Sequence, residues 1–292
     1  MVKYWKNNIA QCIRFSIQQK RYHRGGAWLH GIQLVSGKLE IPFVEYAITT
    51  KCTLACKFCS NLIPFFKNRS NIPLETAKKE IKEFLGQVDY VYRFKLHGGE
   101  PFLHPDLAEL VEWTAASEKI GEVRISTNGT ILPGVKLLNA LKNRKVIVFV
   151  SGYPENIAPR RKQLLRLLNE NQIRYRDLDD QHWCNTGDCH LRKRTKKELE
   201  TLTDACSMAN CKTLSGGRLY LCSRCANGDQ LNFFQEKTAV LVNGEPQKVR
   251  RQIKQLYCTK ASTGCMHCDA VVEGRNMIPP AEQIVSGGEY ER

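Results

Sequence analysis

"TTKCTLACKFCS", residues Thr49 to Ser60, holds Cys52, Cys56 and Cys59 with spacers of three and two residues. Such spacing lets three thiols converge from a single turn of backbone. Thiolates are soft ligands that select zinc, copper or iron–sulfur clusters. A structural zinc site normally takes four protein ligands, and this stretch supplies three. Three ligands on a four-iron cluster leave one iron free for a small molecule. The preceding "FVEYAITT" (43–50) reads as a strand running straight into the cysteine loop.

Outward from that loop, strand-like and helix-like segments alternate between about Pro42 and Leu178. Pro73 marks a helix start before "LETAKKEIKEFLGQV". "VYRFKLHGGE", "EVRISTNG", "KVIVFVSGY" and "QIRYRDL" read as further strands. Helices are expected after Pro105, in "GVKLLNALKN" and in "RRKQLLRLLNEN". Repeated strand–helix units predict an α/β fold with a parallel core, either a barrel or an open sheet. Three strand ends carry unusual sequence: the cysteine loop, "HGGEP" and "STNG". In this architecture functional residues gather at the C-terminal ends of parallel strands. No GxGxxG phosphate loop is present, which argues against a dinucleotide fold.

Cys52-x3-Cys56-x2-Cys59, with Phe58 before the last cysteine, resembles the radical S-adenosylmethionine (SAM) enzymes. "HGGEP", with Gly98, Gly99 and Glu100, is similar to that family's glycine–glycine–glutamate motif, and "STNG", with Ser126, Thr127 and Asn128, to its third-strand motif. The resemblance covers about residues 43–180 and implies an incomplete (β/α)6 barrel. It implies that Cys52, Cys56 and Cys59 hold a catalytic [4Fe–4S] cluster whose fourth iron is chelated by SAM. Reduction of SAM then releases a 5′-deoxyadenosyl radical that takes hydrogen from an unreactive C–H bond. Gly98 and Gly99 let backbone approach the methionyl amino group, because no β-carbon intervenes. Glu100 accepts from that amine or shapes the turn. Ser126 and Asn128 suit ribose hydroxyls or the methionyl carboxylate. Ser151, with Tyr153, is a further cofactor candidate, and Phe58 either lines an adenine pocket or joins the core. Zinc on the three cysteines, with His97 as fourth ligand, is the competing account.

The C-terminal cysteines, "CSMANCKTLSGGRLYLCSRC … CTKASTGCMHC", resemble the auxiliary-cluster modules of SPASM or twitch type that follow many radical SAM barrels. On that pattern Cys206, Cys222, Cys265 and Cys268 enclose one [4Fe–4S] cluster, with Gly216 and Gly217 turning the chain before "RLYLC". Cys211 fits as an alternative early ligand. Two clusters, or zinc-ribbon spacing in Cys222-x2-Cys225 and Cys265-x2-Cys268, are the other arrangements. Metal ligands would supply part of the folding energy of this region, which has little continuous core of its own. The expected division is a basic amphipathic extension at 1–41, the barrel at 42–180 and the cysteine-rich domain at 181–292. Unligated Cys184, Cys189, Cys225 and Cys258 are either buried small hydrophobes or hydrogen donors to a substrate radical. His182, His190 and His267 are bases or surface residues.

Composition narrows the class. Thirteen cysteines without a recognisable secretory signal fit metal-bound thiolates in a reducing cytoplasm better than a disulfide framework. No stretch approaches the roughly 18 apolar residues of a membrane span. The formal charge of +15 suits a phosphate-bearing or otherwise anionic substrate, or simply a solubilising surface. No zinc-finger, aromatic-rich RNA-binding or helix-turn-helix signature accompanies it, which lowers nucleic acid as a partner. Trp5, Ile9, Ile13 and Ile17 share a helical face beside Lys3, Lys6, Arg14, Lys20 and Arg21. Such a helix packs on its own domain, meets a partner or touches an anionic membrane peripherally.

The expected activity is that of a radical SAM oxidoreductase or epimerase acting on a sugar, cyclitol or nucleotide-linked sugar. Oxidation would be assisted by the auxiliary cluster, with a flavodoxin- or ferredoxin-type reductant. Modification of a ribosomal peptide is an alternative, weakened because the first 40 residues are short for a winged-helix recognition domain. The non-enzymatic alternative is an iron–sulfur protein that binds nucleic acid, with salt-sensitive affinity and no SAM cleavage.

Overall fold

A computed structural model describes residues 37–178, 183–272 and 274–284. The amphipathic N-terminal segment, Cys12 and His182 lie outside the described residues. The chain begins with a short strand β1 (Glu40–Ile41) and then β2 (Val44–Thr49), which ends at the cysteine loop. Helix α1 (Leu74–Gln87) starts directly after Pro73, which occupies its N-cap. Ala77, Ile81, Phe84 and Leu85 bury one stripe of α1, at the helical repeat. There follow β3 (Tyr90–Gly98), α2 (Leu107–Ala116), β4 (Ile120–Thr127), α3 (Val135–Leu141), β5 (Val146–Ser151), α4 (Arg161–Glu170) and β6 (Tyr175–Leu178).

Strands β2 to β6 pair in parallel, each beside the one before. Their side chains alternate with the period of two that a pleated strand imposes. On β5, Val146, Val148 and Val150 are buried in the outer core, while Ile147, Phe149 and Ser151 take the other face. On β2 and β3, Tyr46, Ile48, Phe94 and Leu96 join the main hydrophobic cluster with α1 and α2. Glu45, Lys95 and His97 therefore fall on the concave inner face. The outer face accounts for most of the core, and the inner face carries the polar groups of β2 and β3 beside Ile147 and Phe149 of β5.

The sheet does not stop with these five strands. After β7 (Trp183–Cys184) and helix α5 (Lys196–Ala205), strand β8 (Thr213–Ser215) pairs in parallel with β2, on the side away from β3. The backbone of Glu45 donates to the Lys212 carbonyl at 2.8 Å. A hairpin then leads to β9 (Arg218–Tyr220), with Gly216 and Gly217 at φ of +57° and +68°. Two successive positive φ values define the turn that suits a two-residue hairpin, and glycine reaches them without strain. Helix α6 (Ser223–Gln230), strand β10 (Val240–Leu241), helix α7 (Pro246–Cys258) and strand β11 (Met277–Ile278) complete the order.

Five consecutive strands and a sixth parallel strand docked on the opposite side of β2 make a partial barrel. The apolar side chains of the C-terminal region, among them Leu214, Leu219, Val249, Ile253 and Tyr257, belong to the same hydrophobic cluster as the barrel. Tyr257 also donates its hydroxyl to the Phe43 carbonyl at 2.7 Å. Helix α5 carries a reciprocal capping box between Thr195 and Glu198, a signal legible in "TKKE". No described helix is long and apolar enough to cross a membrane.

Candidate active site

Loop and strand ends meet at one edge of the partial barrel. Two bonds pin the cysteine loop to the end of β3: Gly99 N donates to Thr49 O at 2.9 Å, and Glu100 N to Lys51 O at 2.8 Å. A β-carbon on Gly98 would lie 2.1 Å from Thr49 O, and one on Gly99 would lie 2.2 Å from Lys51 O. The paired glycines thus admit the cysteine loop itself, whatever else they approach. Phe58 adopts φ of +53°, a conformation rare for a bulky residue.

Around this edge a cavity of about 330 Å³ opens into the barrel. Its wall includes Cys52, Cys56, Phe58, Cys59, Gly98, Gly99, Ser126, Asn128, Ser151 and Tyr153. These positions come from four separate strand ends, and the parallel sheet brings them together. Leu54 N lies 3.5 Å from Cys52 Sγ, with Asn128 Nδ2 at 3.7 Å. Gln283 Nε2 donates to Cys56 Sγ at 3.3 Å. Burial pushes the free thiols up, Cys52 to about 11 and Cys56 to about 12. Coordination by a metal deprotonates a thiol outright, and donors already aimed at the sulfurs favour the thiolate.

Glu100 and Asn128 also make contacts within the protein. Glu100 is fully buried and is not on the cavity wall. Its carboxylate accepts from Phe102 N at 3.0 Å, Thr127 Oγ1 at 2.8 Å and Asn128 N at 2.7 Å. It ties the end of β3 to the end of β4, and burial pushes it up to about 7 despite those donors. Asn128 does line the cavity, but its amide nitrogen also donates to Thr53 Oγ1 at 3.0 Å and its oxygen accepts from Thr130. That side chain holds the cysteine loop. His97 stands on the cavity wall, yet among the described residues no three His, Cys, Asp or Glu side chains stand close enough to hold one metal ion.

The C-terminal cysteines surround a second, smaller cavity of about 40 Å³. Cys206, Cys222, Cys225, Cys265 and Cys268 line it, brought together from three segments: the end of α5, the start of α6 and the turn at Thr263–His267. Val271 N donates to Cys206 Sγ at 3.4 Å and Ala270 N to Cys268 Sγ at 3.3 Å. Arg194 grips the carbonyls of Cys265 and Cys268 at 3.2 and 2.6 Å. Cys211 is absent from this wall; it lies toward Glu45 and Lys95, and burial pushes it up to about 12. Of the two candidates for the early position, Cys206 faces the cavity. Ser60, Met208 and Val271 line both cavities, so a single layer of side chains separates the two thiol sets. Trp183, Met208, Ser223 and Val271 on the large cavity wall carry no local motif that would reveal them.

Thiols converging at the mouth of a parallel α/β barrel, with glycine-packed strand ends beside them, define an iron–sulfur enzyme of the barrel type. Residues 46–180 match the family model of the radical SAM superfamily and form a domain of that family. Enzymes of this family bind a [4Fe–4S] cluster together with SAM, and the thiol set with its adjoining cavity fits both. A GTP 3′,8-cyclase of Helicobacter pylori is 30% identical over 105 residues, covering 35% of this chain and 32% of the cyclase. One from Aquifex aeolicus is 29% identical over 144 residues, covering 47% and 43%. The chain thus matches about a third to a half of the length of these relatives. Among solved structures, BtrN in complex with AdoMet and 2-DOIA is 18% identical, with a TM-score of 0.48 and coverage of 79% of this chain and 94% of that one. Streptococcus suis SuiB bound to precursor peptide SuiA is 17% identical, with a TM-score of 0.38 and coverage of 66% and 44%.

Proposed function

We propose that this radical SAM enzyme oxidises a carbinol carbon of a small polar molecule, a sugar, cyclitol or nucleotide-linked sugar. The observation that carries this reading is one cavity with Cys52, Cys56 and Cys59 on one side and hydrogen-bonding side chains of the barrel face on the other. When bound, the cluster and SAM supply a 5′-deoxyadenosyl radical able to take hydrogen from an unreactive C–H bond. The chain's own work is positioning and exclusion of water. Cys52, Cys56 and Cys59 hold the cluster, and Gly98, Gly99, Ser126, Asn128, Ser151 and Phe58 border the space left for SAM. Overall the carbinol gives up one hydrogen atom, one proton and one electron to become a ketone. Cys206, Cys222, Cys265 and Cys268 would hold an auxiliary [4Fe–4S] cluster able to take up that electron, and a flavodoxin- or ferredoxin-type protein would be the reductant.

Inversion at the same carbon is a second reading, favoured by one feature. Of the unassigned cysteines, Cys184 lines the large cavity, whereas Cys189, Cys225 and Cys258 do not. A thiol there could return hydrogen to the opposite face. The names of the matched relatives point instead to GTP as a substrate. Anaerobic turnover distinguishes these readings: protein, reductant and SAM are offered sugars, cyclitols, nucleotide sugars and GTP, each deuterated at candidate carbons. Deuterium in 5′-deoxyadenosine together with a ketone supports oxidation, and an inverted carbinol carrying solvent hydrogen supports epimerisation. Turnover of GTP alone rejects both.

A further inference from the structure

The inner face of β2 and β3 carries three polar side chains in register. Glu45 pairs directly with Lys95 across the parallel strands, and His97 lies two residues further along the same face. Lys95 Nζ donates to Glu45 Oε2 at 3.2 Å, and Thr213 Oγ1, from β8, donates to Glu45 Oε1 at 2.9 Å. His97 is 4% exposed, and its Nε2 lies 3.7 Å from Glu45 Oε1, too far for a hydrogen bond. That nitrogen has no hydrogen-bond partner. All three side chains line the large cavity, beyond the cysteine loop. A buried polar atom without a partner needs an explanation, and here it faces open space.

We propose that Glu45, Lys95 and His97 form the recognition site for a hydroxyl group of an uncharged, polyhydroxylated substrate. This rests on the radical SAM reading for the role of the cavity, and it narrows the substrate class. A hydroxyl both donates and accepts, so one oxygen can donate to Glu45 Oε1 and accept from His97 Nε2 in the tautomer that carries the ring proton on Nε2. A phosphate or carboxylate only accepts, and would face the Glu45 carboxylate. Burial pushes His97 down to about 4, which leaves the ring neutral near pH 7. With Glu45 paired to Lys95, the trio carries no net charge. Among the described residues Lys95 is the only lysine or arginine on this cavity wall. Arg124, nearby on β4, is paired with Glu122 at 2.7 Å and lies over the Phe149 ring. A triphosphate would bring several negative charges to a wall with no uncompensated cation among the described residues.

Ligand-observed saturation-transfer NMR on the anaerobically reconstituted protein with SAM tests the site without requiring turnover. The probes are neutral inositols, hexoses and nucleosides, set against GTP and hexose phosphates. At least one neutral polyol should bind, and more tightly than GTP or any hexose phosphate. His97→Phe, which keeps ring volume but removes both nitrogens, should weaken that binding by at least about tenfold. Should that variant fail to fold, Glu45→Gln supplies the test, with the same expected loss. SAM affinity, measured by calorimetry, should stay within about twofold in a folded variant, because neither side chain belongs to the proposed SAM contacts. Absence of any neutral ligand, tighter binding of GTP, or unchanged polyol affinity in a folded variant overturns the proposal. Failure of SAM cleavage would count against the enzymatic reading and leave these binding results standing.

Discussion

Gln283 donates its side-chain amide to the Cys56 thiol at 3.3 Å, joining the far end of the described chain to the first cysteine loop. The contact is one of a set. Gln283 Oε1 accepts from Ala55 N at 2.8 Å, Lys57 N donates to Glu282 O at 2.7 Å, and Ile284 N donates to Ala55 O at 2.8 Å. A strap of backbone thus pairs with the loop that presents the thiols. Replacing Gln283 by Leu should leave the backbone-to-backbone pairing and remove both the donor to sulfur and the acceptor for Ala55 N. Loss of a hydrogen bond behind a metal ligand commonly costs about 10- to 100-fold in metal affinity or activity. Iron should leave the Gln283→Leu protein faster in a chelator challenge, and the potential of the SAM-binding cluster should shift. An unchanged potential with unchanged iron release would remove the strap from the site.

Glu100 should make stability depend on pH. Its folded carboxyl is raised from about 4.5 to about 7 by burial. A raised folded value stabilises the fold fully below the unfolded pKa, and that contribution is lost as pH rises through about 7. Glu100→Gln removes the titration but turns an amide NH2 toward one of three donors, at a cost of about 1–3 kcal/mol. The gap in thermal midpoint between the two proteins should narrow from pH 5 to pH 8. A constant gap would show that burial does not control this carboxyl.

Removing Cys56 should abolish formation of 5′-deoxyadenosine from SAM. In a Cys52/Cys56/Cys59 triple alanine variant, the C-terminal thiols should still hold about four irons per chain if they carry one [4Fe–4S] cluster. Iron, sulfide and zinc analysis with Mössbauer spectra checks this. Zinc in that variant would defeat the auxiliary-cluster assignment, and full SAM cleavage would defeat the assignment of the first site.

A Cys265→Ala/Cys268→Ala variant separates hydrogen abstraction from oxidation. With a substrate deuterated at the carbinol carbon, deuterium should still reach 5′-deoxyadenosine while ketone formation is lost. Metal often supports the folding of small cysteine-rich regions, so circular dichroism and SAM binding accompany the assay. Ketone at the normal rate from a folded variant lacking the second cluster would rule out its role as electron acceptor.

The strand order β2 to β6 was legible in the sequence because hydrophobic period and turn residues are local properties. The motifs at three of those strand ends were legible for the same reason: close spacing puts Cys52, Cys56 and Cys59 within reach of one another in any compact loop. Choosing between Cys206 and Cys211 was different. Five residues apart, both satisfy the same spacing, and only the docking of β8 against β2 turns Cys211 toward Glu45 and leaves Cys206 at the cavity. The same parallel pairing hands Thr213 to Glu45. Glu100 reads from sequence as a ligand contact or a turn-shaping group, and the three donors that enclose it come from the packing of the β3 and β4 ends. Gln283 sits in an unremarkable tail and meets Cys56 only through the strap. Sequence by itself determined the alternation of elements and the chelating loop, since both depend on neighbours along the chain. Tertiary structure alone decided which distant side chains share a cavity, because pairing between strands far apart in the chain sets those contacts.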